Sequence, residues 1–255
     1  YHPKPLYLHE PSVHTIPISE VQDSFLSSQW LPMHQPTEGG KLYHYTTLAG
    51  LVGILAERSL WLGHTSSFND PTEMRYGSEL VDALVRERSE KASDQDVKEF
   101  LRSIAMWTKT FANQAIHHTF VGCFCESGNL LSQWRAYAHR GQGYCLGFEF
   151  SDNTFVTSDL GNLSPGRDLF LRRVIYDVDS QKRLVTTYLD AISAAVKPGL
   201  KSLANPELKK ETHLNIMGIQ AANILMDMLI CFKNSAFESE KEWRLVRAVR
   251  DDIEP

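Results

Sequence analysis

An α+β fold, with a mixed or antiparallel sheet flanked by helices, is the class that three observations predict. Strand-like and helix-like stretches follow one another without the regular strand–helix–strand units of a doubly wound parallel sheet. No strand-like stretch leads into a glycine-rich dinucleotide or phosphate loop. The chain of 255 residues, 42% apolar and 22% charged, has the make-up of a globular protein long enough to bury a full core.

The elements follow from local pattern. Residues 1–40 are proline-rich and lack a sustained period, so they read as an extended N-terminal arm with one short helix near Ile18 to Leu26. Residues 41–255 read as a single α+β domain. Lys41 to Tyr45 is a strand, and Leu48, Leu51, Val52 and Leu55 recur at helical spacing to give a helix from Thr47 to Arg58. Ser59 to Leu62 reads as a short strand. Asp70, Pro71 and Glu73 have the order of an N-cap, a first-turn proline and a capping-box partner. The helix they open continues through Gly77, Leu80, Val81, Leu84 and Arg88. Another follows Asp94, with Val97, Leu101, Ile104 and Phe111 on one stripe. His117 to Cys125 is a strand, Leu130 to Ala138 a short helix, and Tyr144 to Phe150 and Leu169 to Tyr176 further strands. Helices over Val178 to Val196 and Pro206 to Phe232 precede a last strand, Glu242 to Val249. The apolar helix 206–232 reads either as the core or as half of a homodimer interface.

Composition excludes several function classes. A net charge of −5 gives no bulk attraction to nucleic acid. The longest apolar run is broken by Asn223, Asp227 and Lys233, so no membrane span or membrane partner is expected. The first residues lack the basic start and apolar middle of a signal peptide. Cys123, Cys125, Cys145 and Cys231 have neither zinc-site spacing nor a workable disulfide between strand neighbours, so buried, reduced thiols in a cytoplasmic setting are expected.

Three clusters hold residue types suited to chemistry. His44, Tyr45 and Thr46 end the first strand. Trp134 and Tyr137, three apart on one helix face beside Ser132 and Arg135, suit either core packing or a stacking wall. Glu240, Glu242 and Arg244 alternate along the last strand onto one face, with Trp243 and Leu245 directed to the core. They suit either a solvated edge or a tuned carboxylate pair. Asn69, Asp70 and Glu73, with His64, offer oxygen-rich ligands, but helix capping accounts for Asp70 and Glu73, and no metal is expected.

Five motifs in order resemble a bacterial family known only as domain of unknown function 2971. They are Leu42 to Thr46, Phe68 to Glu73, Cys123-Phe124 with Trp134 to Ala138, Gly143 to Phe148, and Glu240 to Arg244. A second resemblance supplies an activity. Leu42 to Leu62, with Ile54-Leu55 and Leu60-Trp61, looks like the first strand, helix and second strand of ADP-ribosyltransferases, and Glu240-x-Glu242 resembles their paired glutamates. Tyr45 replaces the glycine that often follows the histidine there. The resemblance implies an ADP-ribosyltransferase-like core that takes NAD as substrate and transfers ADP-ribose to a macromolecular acceptor or hydrolyses NAD, in a toxin or phage-defence setting. Glu242, Glu240 and His44 would be catalytic. His44, Tyr45, Thr46 and Arg244 would hold the dinucleotide, with Trp61, Tyr76, Trp134 or Tyr137 stacking on nicotinamide. The rival readings are a non-catalytic nucleotide-binding or protein-interaction module of the same fold, and a hydrolase built on His44, Asp70 and Glu73.

Overall fold

A computed structural model describes residues 40–65, 73–114, 118–138, 142–149, 169–202 and 209–249. The arm over 1–39 and the capping residues Asp70 and Pro71 lie outside them. The strands are β1 (Lys41–Thr46), β2 (Gly63–His64), β3 (His118–Cys125), β4 (Tyr144–Glu149), β5 (Leu169–Arg173) and β6 (Glu242–Val249). The helices are α1 (Leu48–Glu57), α2 (Glu73–Lys91), α3 (Gln95–Gln114), α4 (Leu131–Ala136), α5 (Val178–Ser202) and α6 (Lys210–Leu229), followed by a 3-10 turn over Ser235–Glu240. The sheet runs β4-β1-β3-β6-β5, with β2 on β3, and every pairing among these strands is antiparallel. The expected α+β class with an antiparallel sheet is therefore the observed one.

Register divides the side chains between two faces. Tyr43 lies opposite Cys125, which lies opposite Glu242, and Cys123 lies opposite Arg244. These side chains share the first face. The pleat sends their neighbours Leu42, His44, Phe124, Trp243 and Leu245 to the second face.

Each face has its own cover. α2, α3, α5 and α6 pack into a bundle whose buried centre includes Val85, Phe100, Ile104, Tyr188, Ile192, Leu225 and Phe232. The chain leaving α6 joins that bundle to the first face, where Ile230 and Cys231 pack on Val121 and Val246. On the second face Leu42, Phe124, Trp243 and Leu245 form a separate cluster under Leu60, Leu62, Phe148 and Leu171.

Three expected elements differ. The pairing segment after α1 is Gly63–His64 rather than Ser59 to Leu62, because Leu60 and Leu62 are spent on covering β3. A Cβ on Gly122 would stand 2.8 Å from one leucine tip and 3.3 Å from the other, so only glycine lets them lie so close. β5 stops at Arg173, and Val174 and Ile175 turn their amides to the carbonyls of Glu242 and Cys231. α5 runs past Val196 through Pro198, whose side is exposed. Of the two readings of the apolar helix, the structure gives the core: Leu214, Met217, Ala221, Leu225 and Met228 of α6 are buried. Among the described residues no helix is long and apolar enough to cross a membrane.

Candidate functional site

The chemistry-bearing groups gather where β6 begins. The side chains of Glu242 and Arg244 both point to the first face, and Glu242 is only 4% exposed. Arg244 donates from Nε to Oε1 of Glu242 at 2.8 Å and from Nη2 to Oε2 at 3.1 Å, a two-pronged pair. Its Nη1 donates to the Ile230 carbonyl at the end of α6. Lys233 enters from that same exit segment. Its backbone is fixed because its amide donates to the Ile175 carbonyl and its own carbonyl accepts from the Gln181 side-chain Nε2. Its ammonium donates to Glu242 Oε2 at 2.9 Å and to Glu240 Oε2 at 2.7 Å. Two carboxylates and two cations thus form one cluster, closed by the Tyr176 hydroxyl, which accepts from the Glu242 amide at 2.9 Å.

Electrostatics fix the charge state. Burial works against ionising Glu242, but the Arg244 guanidinium and its hydrogen bonds, joined by Lys233, outweigh it and hold the carboxyl at about 2. Glu242 is an anion at any physiological pH. The thiols respond oppositely. Burial and the Glu242 charge push Cys123 well above its ordinary range and Cys125 up to about 12. Both are protonated and poor nucleophiles. All four cysteines are free, two of them buried and two half-buried, as the reduced reading expects.

The predicted residues separate into groups. Glu240, Glu242 and Arg244 meet in the cluster, and the Tyr137 phenol at the end of α4, 37% exposed, lies within electrostatic reach of it. Burial raises the Tyr137 phenol well above its ordinary range, and nearby Cys123 and Glu242 act in the same sense. Tyr45 and Trp134 stand beside it, ring edge to ring face with centroids 5.1 Å apart. Tyr45 is a structural pin: its hydroxyl donates to the Ser127 carbonyl and accepts from the Leu130 amide, each at 2.8 Å. Those bonds fix the turn that starts α4.

His44 is not with them. It points to the second face, its Nδ1 donates to the Cys123 carbonyl at 2.9 Å, and its ring lies against Phe124. Burial lowers its pKa, so the ring is neutral. Thr46 shares the His44 face of β1. Trp61 is 78% exposed beyond α1, and Tyr76 sits in the helical bundle, its hydroxyl donating to Gln181. Among the described residues no three His, Cys, Asp or Glu side chains converge as a metal-ligand set.

Two members of the cluster were not legible as such. Lys233 reads in the sequence only as the charge ending an apolar run. That placement was the available signal, since a lysine directly after buried Cys231 and Phe232 has to find a carboxylate. Tyr176 carried no signal.

Beside the cluster opens a cleft of about 480 Å³ between β5, the start of α5 and the 3-10 turn. Val174, Ile175, Tyr176 and Leu184 make its apolar lining, and Arg173, Arg183 and Lys241 its cations. Asp177 and Glu238 supply the opposite charge, and Ser180 and Thr187 hydroxyls. The Asp177 carboxylate is committed to the Ser180 amide at 2.8 Å.

No curated protein and no solved structure matches the chain. Residues 133–245 match the family model described as "Protein of unknown function (DUF2971)". That span holds the α4, β4 and β6 motifs together with Lys233 and the cleft, and it supports the family resemblance for that part of the chain.

Proposed function

We propose that this protein binds a small phosphorylated ligand of the nucleotide class in the cleft beside the Glu242 cluster, without turning it over. The observation that carries the proposal is the cleft lining: three cations and two hydroxyls around an apolar floor, in a volume typical of small-ligand sites. Arg173 is engaged by Glu126 at 3.1 Å, while Arg183 is exposed, donates from one Nη to the Ser180 hydroxyl and lies within electrostatic reach of Asp177. Lys241 is exposed, held in the left-handed region at φ 46°. Such groups suit phosphate oxygens, and the Val174–Tyr176 floor suits a base or ribose. The absence of turnover rests on Glu242, whose two oxygens are taken by Arg244 and Lys233, and on the separation of His44 to the other face. Titration of the protein with ADP-ribose and ATP by calorimetry tests the site. Binding is expected, weakened about tenfold or more by Arg183→Glu or Lys241→Asn. No heat with the wild type, or binding that ignores both substitutions, would overturn it.

A second reading is NAD cleavage by an ADP-ribosyltransferase-like core, with a macromolecular acceptor and a toxin or phage-defence role. It is favoured by one observation: Glu240, Glu242, Arg244, Tyr137, Tyr45 and Trp134 gather on the same side of the sheet, and Glu242 is ionised. A developing oxocarbenium charge needs such an anion. This reading requires Lys233 and Arg244 to release the carboxylate and proceeds without His44. It predicts nicotinamide release that falls about 100-fold or more in Glu242→Gln.

A further inference from the structure

Most polar groups around the cleft are already engaged within the protein. The Val174 and Ile175 amides donate to the carbonyls of Glu242 and Cys231, and the Ile175 carbonyl accepts from the Lys233 amide and the Gln181 side chain. The floor has therefore spent these main-chain bonds. On the α5 wall the Asp177 carboxylate accepts from the Ser180 amide, the Ser180 hydroxyl accepts from Arg183, and the Thr187 hydroxyl donates to the Arg183 carbonyl. The wall made by the 3-10 turn differs. Its Glu238 and Lys241 are exposed, and among the described residues no hydrogen bond or ion pair engages either side chain.

We infer that Glu238 sets the specificity of the cleft for nucleotides whose ribose hydroxyls are unmodified, an inference that rests on the reading of the cleft as a nucleotide site. An ionised carboxylate only accepts hydrogen bonds, so it has to meet donors on the ligand. Lys241 and Arg183, from the turn and from α5, are the cations that meet the phosphate. Glu238 stands only three residues before Lys241 on one turn, so the donors it meets lie close to that phosphate. The ribose hydroxyls are the donors nearest the phosphate of a nucleotide, and the amino group of a base is farther away. A carboxylate holding ribose hydroxyls is also how dinucleotide folds recognise this sugar. A phosphate on the ribose would face the Glu238 charge and be repelled, which adds discrimination to the attraction. The turn is set in advance. Asn234 accepts from the Ala236 amide at 2.9 Å, Lys233 holds Glu240 at 2.7 Å, and the Lys241 amide donates to the Glu238 carbonyl at 3.1 Å. Little ordering of this wall is left to be done on binding.

Calorimetry of the full chain with ATP and with 2′,3′-dideoxy-ATP tests this, in the wild type and in Glu238→Ala, with melting temperature as the folding control. The wild type is expected to bind ATP about tenfold or more tighter than the dideoxy nucleotide. Glu238→Ala, with an unchanged melting temperature, is expected to bind the two alike by losing affinity for ATP alone. Glu238→Lys is expected to bind adenosine 2′,5′-bisphosphate more tightly than the wild type does. A disturbed fold would weaken ATP and dideoxy-ATP together and leave their ratio in place. Equal binding of both by the wild type, a ratio that Glu238→Ala leaves unchanged, or no gain in Glu238→Lys overturns the role of Glu238 while the nucleotide site stands. No heat from either nucleotide with the wild type overturns the site and the role together.

Discussion

Glu242 makes three charge-assisted hydrogen bonds while almost wholly out of water, and this single residue sets the character of the site. Removing one partner from such a buried arrangement leaves the others uncompensated, at a cost of about 3–5 kcal/mol. Lys233→Met is therefore expected to destabilise by about that much, and Lys233→Met with Glu242→Gln by less than the sum of the two, as a denaturation double-mutant cycle would show. The pH dependence has a definite sign. The folded Glu242 carboxyl sits at about 2, below its ordinary 4.5, so its stabilisation is present above 4.5 and lost as pH falls towards 2. Acid unfolding in that window should flatten in Glu242→Gln. His44 acts at higher pH. Its pKa is lowered by burial, so the neutral ring stabilises above about 6.5 and that contribution fades as pH drops below it. His44→Asn keeps a donor for the Cys123 carbonyl but cannot titrate, and the slope of stability just below pH 6.5 should weaken in that variant. At this scale strand alternation revealed that Glu242 and Arg244 share a face, whereas Glu240, expected on the same strand face, ends the 3-10 turn before β6 and joins them through Lys233. Alternation did not reveal Lys233, because that pairing depends on where α6 ends in space.

Among the elements, β6 and α1 were the most readable. β6 has the expected limits, Glu242 to Val249, and α1 lies within the expected Thr47 to Arg58. Thr47 caps the helix by accepting from the Gly50 amide, and Arg58 closes it in the left-handed region at φ 51°. The segment after α1 was misread because Leu60, Trp61 and Leu62 have strand composition, yet the use of Leu60 and Leu62 is decided by Gly122 on a strand about sixty residues later. Gly122→Val should therefore cost about 1–3 kcal/mol by overpacking against Leu60 and Leu62. Gly122→Ala should cost less, because a leucine tip can give way. Thermal melts of the two variants check the order. The apolar helix 206–232 shows the limit of periodicity: composition fits a core or an interface equally, and only the packed bundle decides for the core.

For the whole molecule, the division of the sheet into two faces matters most. The order of elements and the α+β class were legible, since both rest on local periodicity and on the lack of strand–helix–strand units. The pairing order β4-β1-β3-β6-β5 was not, and it decides that His44 and Glu242 stand back to back rather than across one cleft. Residue types alone assembled them into one imagined site. The first face instead carries a self-neutralising ion cluster beside a cation-lined cleft, and the proposal of binding without turnover rests on that arrangement. The most direct test is nicotinamide release from NAD by the wild-type protein and by Glu242→Gln, at NAD concentrations that saturate binding heat in the cleft. Binding without release above buffer, in both proteins, is the predicted result. Release by the wild type that Glu242→Gln abolishes would contradict it and make the buried glutamate the catalytic group.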